Sequence, residues 1–387
     1  MVYREAAAKQ KGGIYIHIPF CVQKCSYCDF YSTTDLSLTH DFLNALHTEI
    51  RIRRAASQEF DTLYIGGGTP SVMPPEQIEA LLEKVYKNFK LVQHSEITIE
   101  VNPGTINLSV LKQYRKTGIN RISIGIQSFS EENLRFLGRI HSASDAIKTI
   151  QEARNADFSN ISLDLIYGLP GQTSKAWEAD LARALEFTPE HLSCYMLTYE
   201  PRTPLTAALN KKHFSPLGEK KTGELFMATS AFLAENRYRQ YEISNYSLKG
   251  IFPSMHNRKY WSFHPYTGLG PSAHSFSGSI RSWNHRSVTR YIEDLKKDQL
   301  PVENKEILNR EQKMIEAIYL GLRQTDGIDL ENFHANFHQR FEKIFENVIA
   351  ILKDKKYLEM DQGRCFLSLQ GMLFLDSIAG MFAGTDF

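Results

Sequence analysis

Six short apolar or β-branched runs recur along the first half of the chain, each followed by an amphipathic stretch. The runs are residues 14–18 (IYIHI), 61–65 (DTLYI), 96–101 (EITIEV), 121–126 (RISIGI), 161–166 (ISLDLI) and 191–196 (HLSCYM). Residues 41–54, 75–89, 142–156 and 175–187 return an apolar side chain every three to four positions, the helical period. Strand, helix, strand at this spacing predicts a parallel sheet with right-handed crossovers. Six units that need no reversal of strand order read as α/β, a partial (β/α)6 TIM-like barrel over residues 14–245.

Past residue 204 the pattern loosens. Residues 218–236 read as a helix and 238–244 as an extra strand. Residues 245–284 are rich in Gly, Ser, Pro, His and aromatics (Tyr260, Trp261, Phe263, Tyr266, Phe276) and show no period, so 246–300 reads as a long functional loop. Residues 307–322 and 330–353 are helical, 358–369 hairpin-like, and a last helix starts at Gly371. Residues 301–387 therefore form a small helical, winged-helix-like module, and residues 1–13 a short polar leading segment.

Charge changes the picture little. The 387 residues carry 45 Lys and Arg against 44 Asp and Glu, a net charge of +1, which argues against a general nucleic-acid binder. No apolar run is long enough to span a bilayer, and the first thirteen residues lack the apolar core of a secretory signal. A cytoplasmic protein is expected.

The five cysteines change it more. Cys21, Cys25 and Cys28 fall within eight residues, while Cys194 and Cys365 stand alone and read as buried small hydrophobes. A disulfide framework would not crowd three thiols so; a metal site in a reducing compartment would. Cys-x-x-x-Cys-x-x-Cys can hold three irons of a [4Fe–4S] cubane and leave the fourth open to a ligand, unlike fully ligated electron-transfer clusters. Zinc competes, but it prefers four closed ligands in paired spacings. His17 is the nearest fourth donor and reads as structural.

Polar and glycine-rich segments follow the predicted strands: Gly66-Gly67-Gly68-Thr69-Pro70, Glu100 before Asn102-Pro103-Gly104, Gln127-Ser128-Phe129, Arg139, and Asp164 before Gly168-Leu169-Pro170-Gly171. Each alone is explicable as a turn, a cap or a surface charge. Together they lie toward the C-terminal ends of successive parallel strands, where β/α barrels build their sites.

The cysteine spacing, with Tyr27 before the last thiol, resembles the signature of the radical S-adenosylmethionine (SAM) superfamily. The motifs IYIHIPFC, YCDF, GGGTP, IEVNP, GIQSF, LGR and LDLIYGLPGQT resemble, in order, oxygen-independent coproporphyrinogen III dehydrogenase (HemN) and its relatives. The resemblance implies a [4Fe–4S] cluster on Cys21, Cys25 and Cys28, with SAM chelating the open iron. It implies that Tyr15 and Tyr27 pack against the SAM–cluster pair and that Gly67, Gly68 and Thr69 meet the methionine moiety. Glu100, Gln127, Arg139 and Asp164 would hold SAM through its charged and ribose groups.

Two departures separate the chain from the dehydrogenase. Phe30 stands where that family has a fourth cysteine, and only thirteen residues precede the first strand. Both match the sister group, the HemW haem chaperones. His256-Asn257-Arg258-Lys259-Tyr260-Trp261 resembles the HNxxYW motif of that group. The resemblance implies haem as cargo, with His256 as a candidate iron ligand and Tyr260 and Trp261 against the porphyrin. His264, His274 and His285 are rival ligands. It further implies delivery to haem-dependent respiratory proteins, transient membrane contact and an electron donor for the cluster. The enzymatic alternative is oxidative decarboxylation of coproporphyrinogen III.

Overall fold

The computed structural model describes residues 10–384, so most of the predicted leading segment lies outside the described residues. Strands β1 (Gly12–Ile18), β2 (Ala55–Gly67), β3 (Phe89–Val101), β4 (Arg121–Gln127), β5 (Ile161–Tyr167) and β6 (His191–Met196) pair in sequence order, each parallel to the next. All six predicted runs are strands. The unbroken order is that of a half-barrel and not of a doubly wound sheet.

The side-chain alternation of each strand sorts residues between two faces. Ile14, Ile16 and Ile18, then Leu63 and Ile65, Ile97 and Ile99, Ile122 and Ile124, Leu163 and Leu165, are buried in one continuous core with the crossover helices. The intervening residues are polar: Tyr15 and His17, Tyr64, Glu100, Ser123, Asp164, His191 and Ser193. One face of the sheet is thus hydrocarbon, and the other carries ionisable and hydroxyl groups that must find partners.

The sheet does not close on itself. Beyond β6, β8 (Asn245–Leu248) adds antiparallel, followed by β7 (Tyr238–Gln240). Beyond β1, β9 (Tyr266–Leu269) adds parallel. It is followed by β10 (His274–Ser277), β11 (Ile280–Asn284) and β12 (Val302–Ile307) in antiparallel sequence. The segment expected as a loop therefore carries four short strands and a helix. Its strands are four or five residues long, too short to show a period. The first residues of the segment expected as the C-terminal module thus form β12, the edge strand of this large sheet.

That module packs the helix Arg310–Arg323 against a small sheet of β13 (Ile328–Asp329), β15 (Arg364–Leu367) and β14 (Leu358–Asp361). The single helix expected over 330–353 is instead three pieces, Leu330–Phe337, Phe341–Ile344 and Glu346–Asp354. His338 in the left-handed region (φ 52°) ends the first of them. The break folds Phe333, Phe337, Phe341, Phe345 and Phe382 into one aromatic cluster with ring spacings of 4.8–5.5 Å.

Two buried carboxylates fasten the additions to the barrel. Glu49, 0% exposed, accepts from Arg53 Nε (2.8 Å), the Gly270 backbone N–H (2.8 Å), Asn284 Nδ2 (2.8 Å) and the Tyr291 hydroxyl (2.7 Å). Glu242, also fully buried, meets Arg323 Nε at 2.8 Å, and Arg323 lies 4.5 Å above the Trp261 ring. Glu49→Ala strands four donors, one of them cationic, and should cost ~3–5 kcal/mol. Denaturant unfolding checks this; a loss under ~1 kcal/mol would contradict the anchoring role.

Candidate functional site

The cysteine loop leaves β1 and is tied down at both ends. Phe20 bridges Thr33, with Cys21 N–H donating to the Thr33 carbonyl (3.0 Å) and Thr33 N–H to that of Pro19 (2.7 Å). At the loop's centre the Ser26 hydroxyl and N–H both donate to the Leu137 carbonyl (3.1 and 3.3 Å), and Gln23 Nε2 donates to that of Gly138 (3.2 Å). The C-terminus of helix Glu131–Leu137 thereby positions the loop. From the extension, Arg286 Nη2 donates to the Asp29 carbonyl (2.6 Å). Tyr31 lies under the same region, its hydroxyl accepting from Val288 N–H (2.7 Å).

All three thiols are free, Cys21 buried and the other two half-buried. Burial pushes Cys28 up to about 11 and raises Cys21 as well; the neighbouring Cys25 raises each further. Thr69 Oγ1 donates to Cys21 Sγ (3.5 Å) and Arg139 Nη1 to Cys25 Sγ (3.4 Å). Among the described residues no three His, Cys, Asp or Glu side chains close on a single metal ion. Three mutually repelling sulfurs with N–H and O–H donors aimed at them fit a multi-iron cluster, whose charge relieves that repulsion.

The residues expected around SAM converge here in two groups. In the first, Glu100 accepts from the Tyr64 hydroxyl (2.7 Å) and the Gly67 N–H (3.1 Å). Gly66 leaves the space: a Cβ there would lie 2.9 Å from the Glu100 carboxyl. In the second, Asn102 Nδ2 donates to Thr69 Oγ1 (2.8 Å). Arg139 Nη2 donates to Asn102 Oδ1 (2.6 Å) and to the Gly125 carbonyl (2.8 Å). Gly68 sits against the Phe20 carbonyl, where a Cβ would come within 2.6 Å. Gln127, held at φ 69°, ends β4 beside Arg139. Tyr27 packs beneath the loop in a small separate core of Leu137, Ile166, Leu169, Leu197 and Leu205. Its phenol, raised by burial, lies against Arg139.

Asp164 sits deeper, mid-strand, accepting from Ser123 Oγ (3.1 Å). Burial raises its carboxyl, and its charge in turn raises Glu100. Burial pushes Glu100 up to about 7, against the Tyr64 hydrogen bond, which lowers it. Folding therefore favours protonated Glu100, so its contribution to stability falls as pH rises from the ordinary carboxylate range to about 7.

Tyr15 turns its hydroxyl to His17 Nδ1 (3.0 Å), and His17 Nε2 donates to the Tyr31 carbonyl (2.8 Å). His17 is structural, as expected. Gly125 and Tyr64 escaped sequence reasoning as site members, and Asn102 entered it only as part of the Asn102-Pro103-Gly104 turn. Tyr64 on β2 and Gly125 on β4 share the polar face with Glu100 and Gln127, and that strand parity is the signal that marks them.

The HNxxYW segment is not a loop but helix Met255–Trp261, docked on the bottom of the polar face. Its first N–H groups, of Met255 and His256, donate to Glu96 (3.1 and 3.0 Å). His256, 1% exposed, stacks on Tyr64 at 5.2 Å. Its Nδ1 pairs with Thr62 Oγ1 (2.8 Å) and its Nε2 with the Tyr260 hydroxyl (2.9 Å). Both ring nitrogens of His256 are therefore hydrogen-bonded in this structure, and burial takes the imidazole down to about 3. Lys259 pairs with Asp61 (2.6 Å), and Trp261 lies under Arg323. His285 faces Asp294 (3.2 Å). His264 and His274 have no side-chain hydrogen bond among the described residues; His274 stacks on Trp283.

The Radical SAM superfamily profile matches residues 15–184, and the HemN C-terminal domain profile residues 308–374. The heme chaperone HemW of Bacillus subtilis (strain 168) is 33% identical over 96% of this chain and 98% of its own length. The heme chaperone HemW of Escherichia coli (strain K12) is 39% identical over 67% of this chain and 69% of its own. The chain belongs to the HemW family of radical SAM proteins. The solved coproporphyrinogen III oxidase HemN of Escherichia coli shares the fold, with a TM-score of 0.85 over 99% of this chain and 93% of its own at 24% identity. Membership of the superfamily implies a [4Fe–4S] cluster and SAM, and the three-thiol loop fits that cluster.

Tyr64→Phe removes the donor that opposes burial of Glu100. The Glu100 pKa should rise further above about 7, read by infrared titration of the carboxyl stretch; a fall would overturn the stated balance.

Proposed function

We propose that this chain is a haem chaperone, binding haem and passing it to haem-dependent respiratory proteins, with the cluster and SAM at the barrel mouth. The observation that carries the reading is identity of 33% along nearly the whole length of a protein named as a heme chaperone. Phe30, 68% exposed beside the cysteine loop, supports it, because a phenyl ring supplies no thiolate where the dehydrogenase has its fourth cysteine. No helix among the described residues is long and apolar enough to cross a membrane, consistent with a cytoplasmic carrier that meets membrane clients transiently. An electron donor for the cluster is a further partner of this reading.

Cys21, Cys25 and Cys28 would hold the cluster. Bound there with SAM, it supplies one-electron reduction of the sulfonium. The protein's part is positional. Arg139 presents its guanidinium between Cys25 and Asn102, suited to a carboxylate. Glu100 and Asp164 offer acceptors to ribose hydroxyls or to positive charge. Tyr15, Tyr27, Gly67, Gly68, Thr69 and Gln127 complete the walls.

For haem, the extension supplies the surface. Tyr260 and Trp261, both part-exposed, offer the rings against which a porphyrin packs, with His256 buried behind them. His264 and His274 are the histidines there whose rings are free to ligate iron without breaking a buried hydrogen bond. Haem titration followed by the Soret band tests this: His264→Ala or His274→Ala should weaken binding about tenfold or more, with an unchanged Tm. His256→Ala should lower Tm by several degrees, because Thr62 and Tyr260 lose their partner. Loss of haem affinity in His256→Ala alone, without loss of Tm, would restore His256 as the ligand.

The decarboxylase alternative has a direct test. Anaerobically reconstituted protein with coproporphyrinogen III, SAM and reductant should yield no vinyl product; catalytic turnover would overturn the carrier reading.

A further inference from the structure

His141 follows Arg139 by two residues and is 5% exposed. Its Nε2 donates to the Ile126 backbone carbonyl at 3.1 Å. A carbonyl oxygen only accepts, so Nε2 carries the proton and, in the neutral ring, Nδ1 keeps a bare lone pair. Burial, with Arg139 nearby, takes the imidazole down to about 4, so the ring is neutral at physiological pH. Nδ1 is buried and has no hydrogen-bond partner among the described residues.

The ring lines a cavity shared with Cys25, Thr69, Asn102 and Arg139. Its volume is about 20 Å³, room for one small polar group. Arg139 spends Nη1 and Nη2 on Cys25, Asn102 and Gly125, yet its Nε is also buried and unpartnered. Arg139 and His141 thus line the same small space, and each carries one buried polar atom without a partner, a donor and an acceptor. Leaving each unmet destabilises the empty site, and a ligand offering both an acceptor and a donor removes that cost.

We propose that His141 is a further ligand-binding residue of this site, its Nδ1 accepting a hydrogen bond from an amine N–H or hydroxyl O–H of the cosubstrate. This deepens the SAM reading and rests on it. SAM carries an ammonium group, ribose hydroxyls and a carboxylate, so it supplies donors for His141 as well as an acceptor for Arg139.

Two substitutions separate this role from a structural one. In His141→Gln the side-chain amide can still donate to the Ile126 carbonyl, but nothing accepts at the Nδ1 position. In His141→Asn the carbonyl oxygen occupies the Nδ1 position, but nothing reaches Ile126. SAM titration of anaerobically reconstituted protein, read by the reduced-cluster EPR spectrum and by equilibrium dialysis, should show the Gln variant binding about tenfold more weakly, the worth of one hydrogen bond. Its iron content and Tm should match the parent. The Asn variant should stay within about threefold of parental affinity, with a lowered Tm. Parental SAM affinity in the Gln variant, or loss of its iron, overturns the assignment. If the parent itself binds no SAM, the SAM site fails first, an outcome distinct from equal binding by parent and Gln variant.

Discussion

A half-barrel whose inner face is polar has to satisfy that face with groups it does not itself contain. The outer face of β1 to β6 is ordinary: Ile and Leu side chains meet the crossover helices and supply the hydrophobic driving force. The inner face places Glu96, Glu100, Arg121, Asp164 and His191 out of bulk water, where an unpaired charge is intolerable. Some partners are local, such as Ser123 for Asp164 and Ser162 for His191 (2.8 Å). Others arrive from later in the chain. The helix of the HNxxYW motif brings two N–H groups to Glu96, and Tyr241 brings its hydroxyl to His191 (2.8 Å).

At the mouth of the same barrel the polar face is left partly unmet. Glu100 rests on a hydroxyl and a backbone N–H, and burial pushes its carboxyl up to about 7. Arg139 reaches from a sulfur to an amide to a carbonyl, joining the cysteine loop to the ends of β3 and β4. The bottom of the barrel is a sealed polar core, and the top is a polar surface held open by Gly66, Gly68 and Gly125. The two ends use the same residue types to opposite purposes, and buried atoms without hydrogen-bond partners occur at both, Thr98 Oγ1 and Arg121 Nε below and Arg139 Nε and His141 Nδ1 above.

That distinction explains what was legible in the sequence. The six strands were, because the Ile and Leu positions recur with the pleat and every crossover helix has an apolar stripe. The cysteine loop and the glycine turns were, because their spacing is local. The fate of His256 was not. Its surroundings come from Thr62 and Tyr64, nearly two hundred residues earlier in the chain, and an HNxxYW string looks the same on a ligand as on a buttress. The strands of the extension were missed because YTGL and HSFS are too short to display alternation. The break at His338 was missed because a left-handed residue other than glycine leaves no mark in the apolar pattern.

The pairing of Glu49 with Tyr291 spans 242 positions, and that of Glu96 with His256 spans 160. A ribosome that has released only the six β/α units has therefore made a body in which Glu49 and Glu96 lack most of their final donors. Such a half-made chain cannot settle until the segment through residue 291 has emerged. The cysteine loop, latched by Arg286 from that same late segment, takes its final shape only once that segment has emerged.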